Sequence, residues 1–321
     1  MKKQWIDWMW DVWCIVSGIG IWPRFIEPRL LQVTRLKLCL SNLPPQLEGL
    51  RVLQFSDLHW NEQFSLYLQK KMIRKVNALK PDIILFTGDF ICRSKLEDRE
   101  GLKQTLNALR ARIGCFAVLG NHDYAQFVTV NEQGDYDVES PSFESIIVKG
   151  FKRLFHPIKL TKQITQEARD VDQHGELVAL LKETSFHLLN NTTEKISCNG
   201  SWINITGLEE YSLGKFDSDI AFQNYDPRYP GLVLSHNPDT LNLLGKYPGN
   251  VIFCGHTHGG QVNLPGFWPR FTRIENLQFK RGLKKLGNKW AYINRGISAI
   301  MKFRWFALPE LTLLTLQRGR G

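Results

Sequence analysis

Several features that would fix the class of this chain at once are missing from its 321 residues. Its six cysteines, Cys14, Cys39, Cys92, Cys115, Cys198 and Cys254, form no CxxC pair and follow no short repeated spacing. A disulfide framework or a structural zinc site would show such spacing, so reduced thiols in core positions are expected instead. Also missing near the N-terminus is a run of the ~20 apolar residues that a spanning helix needs. The uncharged stretch there covers residues 12–22, only 11 residues. It is long enough for a signal-peptide core, but Pro23, Arg24 and Phe25 follow in place of a small-x-small cleavage site. There is no internal repeat and no low-complexity tract. Acidic residues are in deficit: 31 Asp and Glu against 41 Lys and Arg leave a net charge of +10. That excess invites an anionic partner, whether nucleic acid, an anionic membrane or a phosphorylated substrate, and does not choose among them.

What is present is ordinary globular composition, 43% hydrophobic and 22% charged, at a length suited to one large domain or two small ones. A core of this size needs no metal to hold it together, so a metal here would serve chemistry. The N-terminus stands apart. Trp5, Trp8, Trp10, Trp13 and Trp22 lie between Lys2 and Lys3 on one side and Arg24 on the other. Tryptophan favours the lipid headgroup region, so residues 1–25 are expected to lie in a membrane interface, with the lysines facing lipid phosphate. The competing reading is a helix packed on the protein's own core.

Residues 26–45 read as a β-hairpin edge, with Leu31, Val33, Leu36, Leu38 and Leu40 alternating with polar neighbours. Apolar runs then stop abruptly at polar clusters. Residues 50–55 end in Ser56-Asp57-Leu58-His59, residues 83–87 in Gly88-Asp89, and residues 116–119 in Gly120-Asn121-His122-Asp123. Residues 232–234 end in Ser235-His236, and residues 251–253 in Cys254-Gly255-His256-Thr257-His258. Such runs suit strands buried on both faces. Helical stretches at 65–79 and 98–110 alternate with the first three, giving an α/β pattern, and a further helix is read at 175–184. In such sheets ligands bind beyond the carboxyl ends of the strands. Residues 125–173 break the rhythm, and an interruption of that length reads as a lid-like insert, a binding loop or a disordered segment. Its middle, 148–162, mixes basic and apolar residues, as a cap touching lipid or a solvated surface helix would.

Five of the eight histidines fall in the strand-end clusters. Carboxylate, amide and imidazole donors without thiolate suit divalent Mn, Fe or Zn. Singly, each cluster also reads as a loop cap or turn; five in order do not.

The series Asp57-Leu58-His59, Gly88-Asp89, Gly120-Asn121-His122-Asp123, His236 and Gly255-His256-Thr257-His258 resembles the calcineurin-like metallophosphoesterases, over roughly residues 51–316. The resemblance implies an α/β four-layer sandwich, two mixed β-sheets face to face flanked by helices, with a dinuclear centre at one edge. It implies that Asp57, His59, Asp89 and His258 hold one metal, and Asp89, Asn121, His236 and His256 the other. Two divalent ions are implied, Mn first and Fe or Zn as alternatives, with His122 as the acid and Asp123 orienting it. Many relatives carry a second acid three residues after the bridging aspartate; here Cys92 stands there, followed by Arg93, a candidate phosphate contact.

Pro265-Gly266, Arg281-Gly282, Asn294-Arg295-Gly296-Ile297 and Pro309-Glu310-Leu311 further resemble the membrane-associated branch of the family, which includes bacterial UDP-2,3-diacylglucosamine pyrophosphatases of lipid A synthesis. That branch implies a nucleotide-linked lipid substrate, action at the cytoplasmic face of the bacterial inner membrane, peripheral or N-terminally anchored, and no nucleic-acid partner. Aromatic segments at 267–271 and 301–306 fit a site that meets a lipid headgroup, with Arg304 a candidate phosphate contact. The alternatives are a phosphodiesterase or nuclease for soluble anions, and a metal-free scaffold.

Overall fold

Apolar runs without polar breaks become central strands because both faces of each must be covered. The computed structural model describes residues 2–140, 158–263, 265–266, 268–270, 273–298 and 303–319, with side chains from residue 8 onward except that of residue 270. In chain order these contain α1 (Lys2–Val16), β1 (Gln32–Leu40), β2 (Arg51–Phe55), α2 (Leu66–Ala78), β3 (Ile83–Thr87), α3 (Arg99–Asn107) and β4 (Gly114–Val118). Then come β5 (Val128–Val130), β6 (Tyr136–Val138), α4 (Gln166–Asp170), α5 (Gly175–Lys182), β7 (Phe186–Leu188), β8 (Thr192–Cys198) and β9 (Ser201–Gly207). The last are β10 (Gly231–Leu234), β11 (Val251–Cys254), β12 (Gly282–Leu286), β13 (Lys289–Ile293) and β14 (Glu310–Arg318).

Two six-stranded mixed sheets result, ordered β1-β14-β2-β3-β4-β7 and β12-β13-β11-β10-β9-β8. Their inner faces meet through residues such as Val52, Leu85 and Val118 from the first and Ile205, Leu234 and Phe253 from the second. Full burial of each such side chain contributes roughly 1.5–3 kcal/mol. The outer face of the first sheet carries Phe55 and Phe86 against Met72 and Val76 of α2, Leu106 of α3 and Leu180 of α5. The outer face of the second is covered mainly by short turns, through Leu241, Leu244 and Phe279. Helices α2 and α3 start where Ser65 and Asp98 accept hydrogen bonds from the backbone N–H groups of Leu68 and Gly101.

One expected element is absent. Residues 26–45 form no hairpin; β1 is a single strand whose partner is the parallel C-terminal strand β14, with Gln32 opposite Glu310. The alternation of leucines records one buried face, on which Leu38 and Leu40 lie, and says nothing about which strand pairs alongside.

The described side chains of the N-terminal helix, residues 8–16, do not pack on the core. Trp8, Trp10 and Trp13 are all more than half exposed. Among the described residues no helix is long and apolar enough to cross a membrane. The chain then turns through a π-helical stretch, Ser17–Ile26, and is fastened at its end. The buried carboxylate of Glu27 accepts hydrogen bonds from Trp22 Nε1 (2.9 Å) and from the backbone N–H groups of Phe306 (3.0 Å) and Ala307 (2.6 Å).

The interruption at 125–173 is closed at its base by a bridge between Tyr124 and Gln173 and holds the β5–β6 hairpin and α4. Much of its basic-apolar middle, and parts of the segments at 267–271 and 301–306, lie outside the described residues.

Candidate metal centre

The carboxyl ends of β2, β3 and β4 in one sheet and of β10 and β11 in the other converge at one edge of the sandwich. The chain leaves these strands through unusual backbone: Asp57, His59, Asp89, His256 and His258 all have φ between +44° and +69°. Each such residue costs of order 1–3 kcal/mol, a cost that surrounding structure tolerates chiefly at functional sites. Glycine is required nearby at Gly88 (φ +84°), where a Cβ would meet His236 Nδ1 at 2.5 Å. It is required again at Gly296 (φ +69°), where a Cβ would press on that of Asp57 at 2.7 Å.

The structure brings together all seven expected ligands, in two groups. In the first, His59 Nε2 lies 3.2 Å from His258 Nε2, 3.6 Å from Asp89 Oδ2 and 4.0 Å from Asp57 Oδ1. His258 Nε2 lies 3.6 Å from the same Asp57 oxygen. In the second, His236 Nε2 is 3.3 Å from Asp89 Oδ2, and His256 Nδ1 is 3.2 Å from both His236 Nε2 and Asn121 Oδ1. With ligand bonds of ~2.1 Å, two donors on one dication lie about 3.0–4.2 Å apart, so both groups fit a metal. One oxygen, Asp89 Oδ2, belongs to both and is placed to bridge. Asp57 Oδ1 is buried with no hydrogen-bond partner, as an atom reserved for a cation would be.

Backbone groups aim the donors. His236 Nδ1 lies 2.7 Å from the Thr87 carbonyl and His258 Nδ1 3.1 Å from that of Ser298. A carbonyl only accepts, so each Nδ1 carries a proton and each Nε2 is the nitrogen turned inward, able to ligate once it carries none. The amide of Asn121 donates to the Val128 carbonyl (2.7 Å), which turns its Oδ1 toward His256. That carbonyl belongs to β5, so the inserted segment helps build the centre.

Burial pushes His59 down to about 4 and His256 to about 3, and holds His258 well below the usual imidazole range. All three are therefore neutral and competent as ligands. Burial, reinforced by the Asp89 charge, pushes Asp57 up to about 7. Asp89 and His236 go the other way: burial opposes their charges, but their mutual attraction outweighs it, leaving the carboxylate well below and the imidazole well above the ordinary values. A proton there stands where a dication would.

His122 sits against this cage, its Nε2 4.0 Å from Asp89 Oδ2 and its ring tilted at 36° against that of Phe127. Its Nδ1 accepts a hydrogen bond from the backbone N–H of Arg93 at 2.8 Å. An N–H only donates, so Nδ1 is unprotonated and Nε2 carries the proton, facing the centre. Asp123, expected to orient His122, does something else: its carboxylate accepts from the backbone N–H groups of Asp89 (2.7 Å), Gly120 (2.9 Å) and Ile91 (3.0 Å). With both oxygens committed to the backbone, it pins the loop that carries Asp89.

The guanidinium of Arg93 is partly exposed, 3.5 Å from Glu139 and over the ring of Phe127. Arg304 is placed otherwise than a phosphate contact: it is buried, and its Nη atoms donate to the carbonyls of Arg295 (2.8 Å), Ala307 (2.9 Å) and Ser298. The residues shared with the membrane-associated branch brace the same loop, Arg295 Nη2 lying 3.0 Å from Glu310 Oε1. The Cys92 sulfur groups with ring nitrogens of His59 and His122, all within 4.8 Å of one another, so the atypical position faces the site.

A model of the family described as calcineurin-like phosphoesterase matches residues 50–260. The UDP-2,3-diacylglucosamine pyrophosphatases LpxG of Chlamydia muridarum and Chlamydia trachomatis are each 38% identical to this chain, covering 92% of it and 92% of each relative. An uncharacterized metallophosphoesterase of Bacillus subtilis, YkuE, is 27% identical over 94% of this chain and 90% of its own length.

Proposed function

The chain belongs to the calcineurin-like phosphoesterase family, whose members are hydrolases, and from that premise we propose that it cleaves UDP-2,3-diacylglucosamine to UMP and diacylglucosamine 1-phosphate at a membrane surface. The observation that carries the substrate is the likeness to two enzymes of that activity along nearly the whole of both chains. In the reaction a water oxygen bonds to the uridylyl phosphorus, and the bridging oxygen leaves with the lipid phosphate.

Two divalent ions, manganese first and iron or zinc as alternatives, would be held by Asp57, His59, Asp89, Asn121, His236, His256 and His258. When bound they supply Lewis-acid polarisation of the phosphoryl oxygens and a nucleophile at neutral pH. His122 presents its Nε2 proton to the oxygen that gains charge as the bond breaks. Arg93 adds positive charge beside it for a phosphate oxygen. The exposed tryptophans of α1 support a location in a membrane interface, peripheral or N-terminally anchored, and the nucleotide-linked substrate is the ground for assigning it to the cytoplasmic face of the inner membrane.

Incubation with UDP-diacylglucosamine and Mn²⁺ in detergent micelles should release UMP. Turnover of soluble phosphodiesters with no UMP from the lipid would return the reading of a general phosphodiesterase or nuclease.

A further inference from the structure

A cavity of about 290 Å³ opens beside the candidate metal centre, between the N-terminal segment and the loops that follow β2 and β13. It is small against the ~300–1,000 Å³ of whole-ligand sites, so it suits one arm of a substrate. Its apolar wall comes from Phe25, Phe64, Leu68, Ile297 and Phe303. Two further lining residues touch the ligands of the first metal group. Ser298 accepts from His258 Nδ1 (3.1 Å) and donates its N–H to the Asp57 carbonyl (2.8 Å), while the Asn61 amide donates to the His59 carbonyl (2.8 Å). The cavity therefore lies one layer of residues beyond the ligands, and in UDP-diacylglucosamine a second phosphate and the sugar separate the attacked phosphorus from the acyl arm, the spacer that such a position requires.

The other wall is the segment that carries the exposed tryptophans onward from α1. It is held in place by Glu27 and by a hydrogen bond from the Arg304 N–H to the Pro23 carbonyl (2.9 Å). Exposed apolar side chains frame the approach: Phe25 is 51% exposed, and Leu66 and Tyr67 at the start of α2 are 69% and 57% exposed. Arg24 and Arg29 also line the cavity and are exposed. Five apolar side chains, with Arg24 and Arg29 adding positive charge and Asn61, Gln63, Ser65 and Ser298 as the polar part of the lining, complement an alkyl arm carried on an anionic, polar headgroup.

We propose that this cavity is the subsite for one fatty-acyl arm of the lipid substrate, so that the N-terminal segment forms a wall of the substrate site in addition to meeting the membrane. The inference rests on the lipid reading given above but is tested without the nucleotide. The probes are methyl alkyl diphosphate diesters, with the alkyl group from methyl to octyl, in which alkyl phosphate leaves as the lipid phosphate does; they are assayed with Mn²⁺ below micelle-forming concentrations by chromatography of the alkyl phosphate released. Each methylene removed from water is worth at most about fourfold. The wild-type ratio of kcat/KM for octyl over methyl should exceed tenfold. Leu68→Trp, which fills the cavity, and Phe25→Asp, which charges its half-exposed rim without burdening the core, should each bring that ratio toward one. A flat wild-type ratio, or a ratio that survives Phe25→Asp, overturns the subsite. An intact ratio with no UMP from UDP-diacylglucosamine overturns the assigned substrate and leaves the subsite standing.

Discussion

Replacing Asp123 with asparagine separates a residue that works through the imidazole of His122 from one that holds the backbone around Asp89. In the structure Asp123 Oδ2 accepts from the N–H groups of Asp89 and Gly120, and Oδ1 from that of Ile91. An asparagine oxygen in the Oδ2 place keeps two donors and turns its own NH2 against the third. Loss of one charge-assisted bond costs about 1.5–3 kcal/mol, and the two retained bonds weaken as the acceptor becomes neutral. The sum is about 3–5 kcal/mol, and at about 2 °C per kcal/mol for a chain of this size Tm should fall by about 6–10 °C. Because the loosened N–H groups flank Asp89, metal affinity should fall ~10–100-fold. Burial, and next the Asp89 charge, push Asp123 up to about 7, and cations on Asp89 would relieve the second cause. The assays are thermal denaturation of the metal-loaded protein and titration of metal into the apo form. Unchanged Tm and metal affinity with a large loss of kcat would refute the reasoning and return Asp123 to the role of orienting His122.

His122→Ala should retain both metals and lose ~10²–10⁴ in kcat, least with leaving groups that need no proton; release of metal on that substitution would contradict the Nε2 donor role. Asp89→Ala should abolish metal occupancy and turnover together, as checked by elemental analysis, because one oxygen serves both groups. Glu27→Ala leaves Trp22 Nε1 and the N–H groups of Phe306 and Ala307 without their acceptor, at about 1–3 kcal/mol for each that stays buried. Tm should fall accordingly, and limited proteolysis should begin to cut near residue 26; a protease-resistant variant of unchanged Tm would show that the segment is held by other contacts.

How much of this could be read from the sequence depends on what kind of group does each task. The five strand-end clusters were legible because metal ligation demands particular side chains, and a buried strand announces itself by the run before it. The α/β alternation followed from the same runs and the two face-to-face sheets from the resemblance, whereas the pairing of β1 with β14 followed from neither, since alternation in Gln32–Leu40 records a buried face and not a partner at the far end of the chain. The groups that aim the ligands were invisible for a further reason: most are backbone. The Thr87, Ser298 and Val128 carbonyls and the Arg93 N–H set which ring nitrogen or amide oxygen faces the centre, and nearly every residue type carries such groups. A sequence therefore names the ligands of such a site more readily than what holds them. The misassigned role of Asp123 shows the consequence, because adjacency to His122 suggested a side-chain partner where the fold supplied an amide. Glu27 and the insert that brings Val128 to Asn121 lie outside every cluster, yet both reach the loops that position the centre. Their only signal in the sequence was negative: an acid in a basic, apolar stretch and an interruption too long to be a turn.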